Sequence, residues 1–133
     1  MGALSAERNT PRRAADLLTL AIAANKKIYA GAIVARDAAG RATPGATATD
    51  ILGVGRAAET VDNTGGAADL LQVPIEKGVF LFANSVADPV VKADIGNDCY
   101  IVDDQTVSHT DTNQSVAGKV YDVEAAGVWV QFL

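Results

Sequence analysis

The residues best suited to chemistry are one histidine, one cysteine, a scatter of aspartates and one glycine-spaced run. His109 is the chain's single histidine, set in "TVSHTDTN". As a general base it would need a nucleophile within hydrogen-bond reach and a third group to orient it. The sequence identifies neither, so the expectation is a solvated loop histidine. Cys99 stands alone between Asp98 and Tyr100. Without a second cysteine or histidine it completes no zinc set, and acidic neighbours raise a thiol's pKa rather than lower it. It reads as a small buried hydrophobe on a strand. Asp103, Asp104 and Asp111 are of the type that ligates calcium, but nothing around them has the glycine-spaced loop and closing glutamate of an EF-hand. They read as turn formers and solubilising charges. Gly53-x-Gly55-x-x-Ala58, in "ILGVGRAAE", has the spacing of a dinucleotide loop. That loop requires a buried strand before it and a helix after it, so that pyrophosphate meets the helix N-terminus. Here only Ile51 and Leu52 precede the run, and "TVDNTGGAAD" soon follows it and stops a helix. A glycine-punctuated strand is the better reading, and neither a cofactor nor a metal is expected.

The elements that must carry these residues are strands. Ile33-Val34 leads into Asp37-Ala38-Ala39-Gly40, with Asp and Gly at the first and fourth turn positions they favour. "LLQVPIEKGVFLFANS" reads as two strands of a hairpin around Glu76-Lys77-Gly78, with Pro74 confined to an edge or a bulge because it cannot donate to a central ladder. "CYIVDDQTVSHT" repeats strand, turn, strand through Asp103 to Thr106. The chain closes with a hairpin around Glu124 to Gly127, after which Val128, Val130 and Phe132 face one way and Trp129 and Gln131 the other. Trp129, Phe80 and Phe82, at alternating positions, are core or interface before they are a ligand platform. Residues 17 to 24 stay open: Leu and Ala favour helix, whereas Leu18, Leu20 and Ile22 alternate as a strand would. Gly31 and Gly53 bracket one strand-turn unit, and Gly96 and Gly118 bracket another at the same spacing. Chance resemblance between hairpin-rich stretches accounts for that at least as well as an internal repeat does.

At 133 residues, 49% hydrophobic and 20% charged, the chain is long enough for one globular domain with a real core. The expected architecture is mainly β: a single compact antiparallel β domain, barrel- or sandwich-like, over residues 17–133, preceded by an extended arm over residues 1–16. Charge is uneven. Arg8, Arg12, Arg13, Lys26 and Lys27 against Glu7 and Asp16 give the first 27 residues +3, leaving −8 of the total −5 to the rest. An acidic body argues against nucleic acid, whose phosphates need clustered Lys and Arg. The basic arm suits an acidic protein surface, either a neighbouring copy or another partner, and Arg8, Arg12 and Arg13 are its candidate contact residues.

A lone cysteine allows no intrachain disulfide and fits assembly in a reducing cytoplasm. "RRAADLLTLAIAANKK" has the paired arginines, short apolar run and Ala-x-Ala-like end of an export signal. Asp16 at the mouth of the run, its short length (Leu17 to Ala24) and the immediate Lys26-Lys27 weigh against export. No apolar run approaches the ~20 residues of a membrane span.

Several stretches in order resemble a known family. "ERNTPRRAADLLTL", "KIYAGAIVARDAAGRATPG", "VGRAAETVDNTGGA", "KGVFLFANS" and "YIVDDQTV" followed by "AGKVYDVEAAGVWVQFL" look like the small head decoration, or cement, proteins of Mu-like tailed phages and prophages. The resemblance covers nearly the whole chain and rests on no catalytic motif. It implies a β-rich, non-enzymatic virion protein that binds the outer face of the head shell. The implied partners are the major capsid protein and further copies of itself, commonly as trimers, and the implied location is the virion head surface after synthesis in the host cytoplasm. It also favours strand over helix for residues 17 to 24. The alternatives are another phage structural part, such as a head-completion or tail protein, then a nucleotide-binding enzyme built on Gly53 to Ala58, and last a secreted envelope module.

Overall fold

The computed structural model describes residues 2–133; Met1, the first residue of the expected arm, lies outside them. Residues 2–16 form no strand or helix and are exposed throughout. The stretch with two readings then resolves as strand. β1 (Leu17–Ala21) pairs antiparallel with β7 (Gln72–Glu76), and Leu18, Leu20 and Ile22 turn inward as their alternation requires. The remaining elements are β2 (Lys27–Ile28), β3 (Ile33–Arg36), β4 (Ala42–Pro44), β5 (Leu52–Ala57), β6 (Val61–Asp62), β8 (Gly78–Asn84), β9 (Asp98–Ile101), β10 (Thr106–Ser108), β11 (Val116–Glu124) and β12 (Gly127–Phe132). The one helical turn among the described residues is a 3-10 turn, Lys92–Asp94, so no helix there is long and apolar enough to cross a membrane.

The expected all-β, antiparallel domain is present, and it is organised as two equivalent halves. The first half is a five-stranded sheet in the order β1-β7-β5-β3-β4, and the second is a closed five-stranded barrel in the order β8-β12-β11-β9-β10. Taking strands in chain order, β1, β3, β4, β5 and β7 correspond to β8, β9, β10, β11 and β12, and every antiparallel pairing recurs. The parallel closure recurs as well. β10 meets β8 through Thr106↔Ala83 and Val107↔Asn84, and the first sheet curls round to one parallel bridge, Ile22↔Ala42. Register also matches. Arg56↔Glu76 and Ala57↔Ile75 stand where Lys119↔Gln131 and Val120↔Val130 do. Both β5 and β11 carry a bulge against the strand they pair with, at Val54 and at Ala117, which equates Gly55 with Gly118. The repeat read from Gly53 and Gly118 is therefore real as architecture, but its register is corrected by two residues. Identical spacing misled because the first half has two more residues between Gly31 and its bulge glycine.

The hairpins at Asp37–Gly40, Asp103–Thr106 and Glu124–Gly127 form where turn chemistry places them. Asp37 accepts from Gly40 N–H at 3.0 Å through its carbonyl, while its Oδ1 accepts from Ala39 and Arg41 N–H. Gly40 supplies the positive φ of +83° that ends the turn. Two readings change. Glu76-Lys77-Gly78 is no hairpin: β7 pairs with β1 and β5, β8 with β12 and β10, and Lys77 is the crossing between the halves. Pro74 lies on neither an edge strand nor a bulge, since β7 is flanked by β1 and β5. It is accommodated where the β5 ladder stops, at Ala57↔Ile75. Its carbonyl accepts from Ala58 N–H at 3.0 Å, and proline has no N–H to return.

Each half has its own core. Ile22, Val34, Ala42, Val73 and Ile75 fill the first, and Phe82, Cys99, Val107, Val128 and Val130 the second. β3 serves both, with Val34 pointing into the first core and Ile33 and Ala35 joining the second. Its continuous apolar run is therefore that of a strand buried on both faces. The seam is close. A Cβ built on Gly53 would lie 2.1 Å from the Ala117 carbonyl oxygen, so only glycine lets β5 approach β11. Hydrogen bonds cross it too: Thr47 Oγ1 donates to the Val102 carbonyl and Ser115 Oγ to the Ala48 carbonyl, at 2.8 and 2.7 Å.

Candidate functional site

The dinucleotide-like run is built as strand. Gly53 to Ala57 lie within β5, and the glycines answer to packing: Gly53 meets Ala117, and a Cβ on Gly55 would fall 2.4 Å from the Glu76 carbonyl oxygen. No helix follows to receive a pyrophosphate. Cys99 is fully buried in the barrel, and that burial pushes its thiol up to about 12, with Asp98 and Asp94 adding to the rise. It is a protonated core side chain at neutral pH. Asp103 Oδ1 accepts from Gln105 N–H at 2.9 Å, the Asp104 carbonyl accepts from Ile33 N–H, and the Asp111 carbonyl accepts from Gln114 N–H. Among the described residues no three His, Cys, Asp or Glu side chains gather as a metal set would.

His109 is an exposed loop residue, as expected, but it has a partner the sequence did not show. Its Nδ1 stands 2.9 Å from Oδ2 of Asp94, a carboxylate only 7% exposed. The same oxygen accepts from Val91 N–H at 2.9 Å. That backbone bond first, then the histidine, holds the Asp94 carboxyl below its ordinary pKa. The partner was illegible because Asp94 is 15 residues away and reaches His109 only through the 3-10 turn. Around the pair lies a polar depression lined by Asn97, Asp98, Tyr100 and Lys119, in which Lys119 Nζ bonds Asp98 at 2.7 Å. With the cysteine turned into the barrel, the depression offers a base and its orienting carboxylate. The arrangement ties β10 to the 3-10 turn. His109 N–H donates to the Asp88 carbonyl, and Thr110 donates to the Asp88 carboxylate through its N–H and its hydroxyl.

What the surface offers to a partner is charge on the arm and aromatic area on the barrel. Arg8, Arg12 and Arg13 are exposed, and none forms an ion pair among the described residues; Arg8 reaches only Thr10 Oγ1, at 3.5 Å. The structure brings the three together only as neighbours along an extended segment. Most of the body's cations behave otherwise: Lys27, Arg41, Arg56, Lys92 and Lys119 are each matched to an aspartate or glutamate, while Arg36 and Lys77 donate to carbonyls and Lys26 forms no ion pair among the described residues. Arg56 pairs with Glu76 at 2.6 Å and lies over the Phe80 ring, 5.4 Å from its centroid.

The aromatic residues divide by strand face. Phe80 and Phe82 both contact Phe132 inside the barrel. Trp129 stands on the outer face, its Nε1–H donating to Glu124 Oε1 at 3.0 Å. Tyr121 joins it there as alternation from buried Val120 places it, 60% exposed. The bulge between Val120 and Asp122 breaks the alternation one residue later, leaving Asp122 half-exposed beside the ring and returning Val123 to the core. No family model, curated protein or solved structure matches the chain.

Proposed function

We propose that the protein is a decoration, or cement, protein that binds the outer face of a tailed-phage head shell through its N-terminal arm. The observation that carries this reading is the contrast between arm and body. Five of the body's eight Lys and Arg are paired with a carboxylate, whereas Arg8, Arg12 and Arg13 all lack an ion-pair partner among the described residues and lie on a segment exposed along its whole length. The sequence blocks that resemble Mu-like head proteins run through both parts. A shell-stabilising protein needs a rigid body, a reach to a neighbour and no turnover chemistry. An arm that orders on binding covers a large surface at an entropic cost, and binding one shell state but not another stabilises the bound state by mass action. The partners in this reading are the major capsid protein and further copies of the chain, a trimer being the favoured assembly.

The test is co-sedimentation with shells of the major capsid protein, expanded and unexpanded. Binding to the expanded shell, weakened by added salt and by deletion of residues 2–13, is the expected result. A folded chain that ignores expanded shells at low salt would overturn the reading.

A further inference from the structure

Two aromatic side chains stand together on the outer face of the closed barrel, whereas the other exposed tyrosine, Tyr29, is covered by Lys27 at 4.8 Å. Tyr121 on the β11 bulge, Trp129 on β12 and Leu81 opposite Trp129 on β8 lie over a closed ladder. Tyr121 is 60% exposed and Leu81 39%. With Val79, Asp122 and Glu124, the two aromatic rings line a shallow depression of about 380 Å³. The indole is fixed by its bond to Glu124, so little of its side-chain freedom is left to lose on binding. Tyr and Trp in such a setting are the residues that carry interface energy. The rim is acidic. Asp122 is shared with Lys92 at 3.1 Å, and Glu124 has no cationic partner among the described residues.

A guanidinium suits this face, since it stacks on Tyr and Trp rings while bonding a carboxylate in plane. Four such groups have no ion-pair partner among the described residues; Arg36 is half-buried on β3 and reaches the Asp37 carbonyl, which leaves Arg8, Arg12 and Arg13 as the exposed ones. The segment bearing them is exposed from residue 2 to residue 16. Extended, it carries Arg8 roughly 27 Å from Asp16, beyond the radius of gyration of about 14 Å of such a domain. We propose that the Tyr121–Trp129 face is the docking site for the basic arm of a second copy of this chain. Such an arm-to-face contact is heterologous and closes into a ring when the rotation permits. It deepens the self-assembly part of the reading above, and it is tested without any capsid, so the two can fail separately.

The full chain carries its own reporter, since Trp129 is its one tryptophan. Sedimentation equilibrium and Trp129 emission are followed together against protein concentration at low salt. Self-association with a shift in emission is expected, weakened at least tenfold in the Arg8→Ser/Arg12→Ser/Arg13→Ser chain and in Tyr121→Ser. Both variants alter exposed side chains, and circular dichroism checks that each is folded. Glu124→Gln keeps the indole's acceptor and removes the charge, and it should weaken association several-fold. A charge swap gives the decisive arm. Glu124→Arg and Arg12→Glu/Arg13→Glu chains should each stay monomeric where the wild type associates, and their mixture should associate. A wild-type chain that remains monomeric overturns the proposal. So does association equally strong in the arm and face variants, or an emission change independent of concentration, which would place the arm on its own body.

Discussion

The two halves of the molecule share strand order, register and the bulge at Val54 and Ala117, yet equivalent positions carry different chemistry. Ile33 and Ala35 on β3 correspond to Asp98 and Tyr100 on β9. The first pair is fully buried because the second barrel packs over it; the second pair is half-exposed, and Asp98 bonds Lys119. Arg56 and Lys119 are likewise equivalent. Arg56 pairs across the ladder with Glu76, whereas Lys119 faces neutral Gln131 and pairs with Asp98 along the outer wall. The connections differ too. Where β11 and β12 are joined by a two-residue turn, β5 and β7 are joined by a long loop that includes β6, which pairs with β2. One barrel plan thus tolerates unrelated side chains as long as alternation and the close glycine contacts persist. The outward faces are left free to become a seam in one half and a solvent face in the other.

The largest expected effect comes from breaking the seam. Gly53→Val drives a side chain into the Ala117 backbone, which cannot swing aside as a side chain could. A loss of about 4 kcal/mol or more in urea unfolding is expected, the upper end for overpacking. Gly31→Ala is the contrast: its Cβ meets open space, and only the φ of +86° resists it, at about 1 kcal/mol. Next, Ile75→Ala and Ile101→Ala empty one core each and should each cost about 3 kcal/mol. Because β3 belongs to both cores, each variant should still unfold in one transition by calorimetry. Two resolved transitions would show the halves to be independent. A smaller loss, about 1 kcal/mol, is expected of Asp94→Ala, which removes the acceptor for Val91 N–H and His109. The Asp94 pKa is lowered on folding, so its contribution is present above the unfolded carboxyl value near 3.9 and is lost as pH falls through the folded one. The acid limb of stability against pH should therefore be shallower in the variant. The smallest effect is that of deleting residues 2–13: since the arm is exposed throughout, the midpoint should move by no more than about 0.5 kcal/mol.

What depends on neighbours along the chain was legible in the sequence, except over residues 17 to 24, whose local pattern fits helix and strand alike. Asp37–Gly40, Asp103–Thr106 and Glu124–Gly127 became turns because the bonds that close them run between residues a few positions apart. Val128, Val130 and Phe132 went inward because period two is a property of one strand. Cys99 was buried for the same reason. Only the tertiary structure decided which strand pairs with which, because a strand's hydrogen-bond partners are chosen by the whole fold. Glu76-Lys77-Gly78 carries the local marks of a hairpin, and its two strands instead satisfy their backbone groups in different sheets. Asp94 and His109 meet, Val123 returns to the core after the bulge, and Gly53 touches Ala117 through pairings no local pattern encodes. Composition and turn chemistry settled a β domain with a basic arm, and non-local packing made it a curled five-stranded sheet seated against a closed barrel.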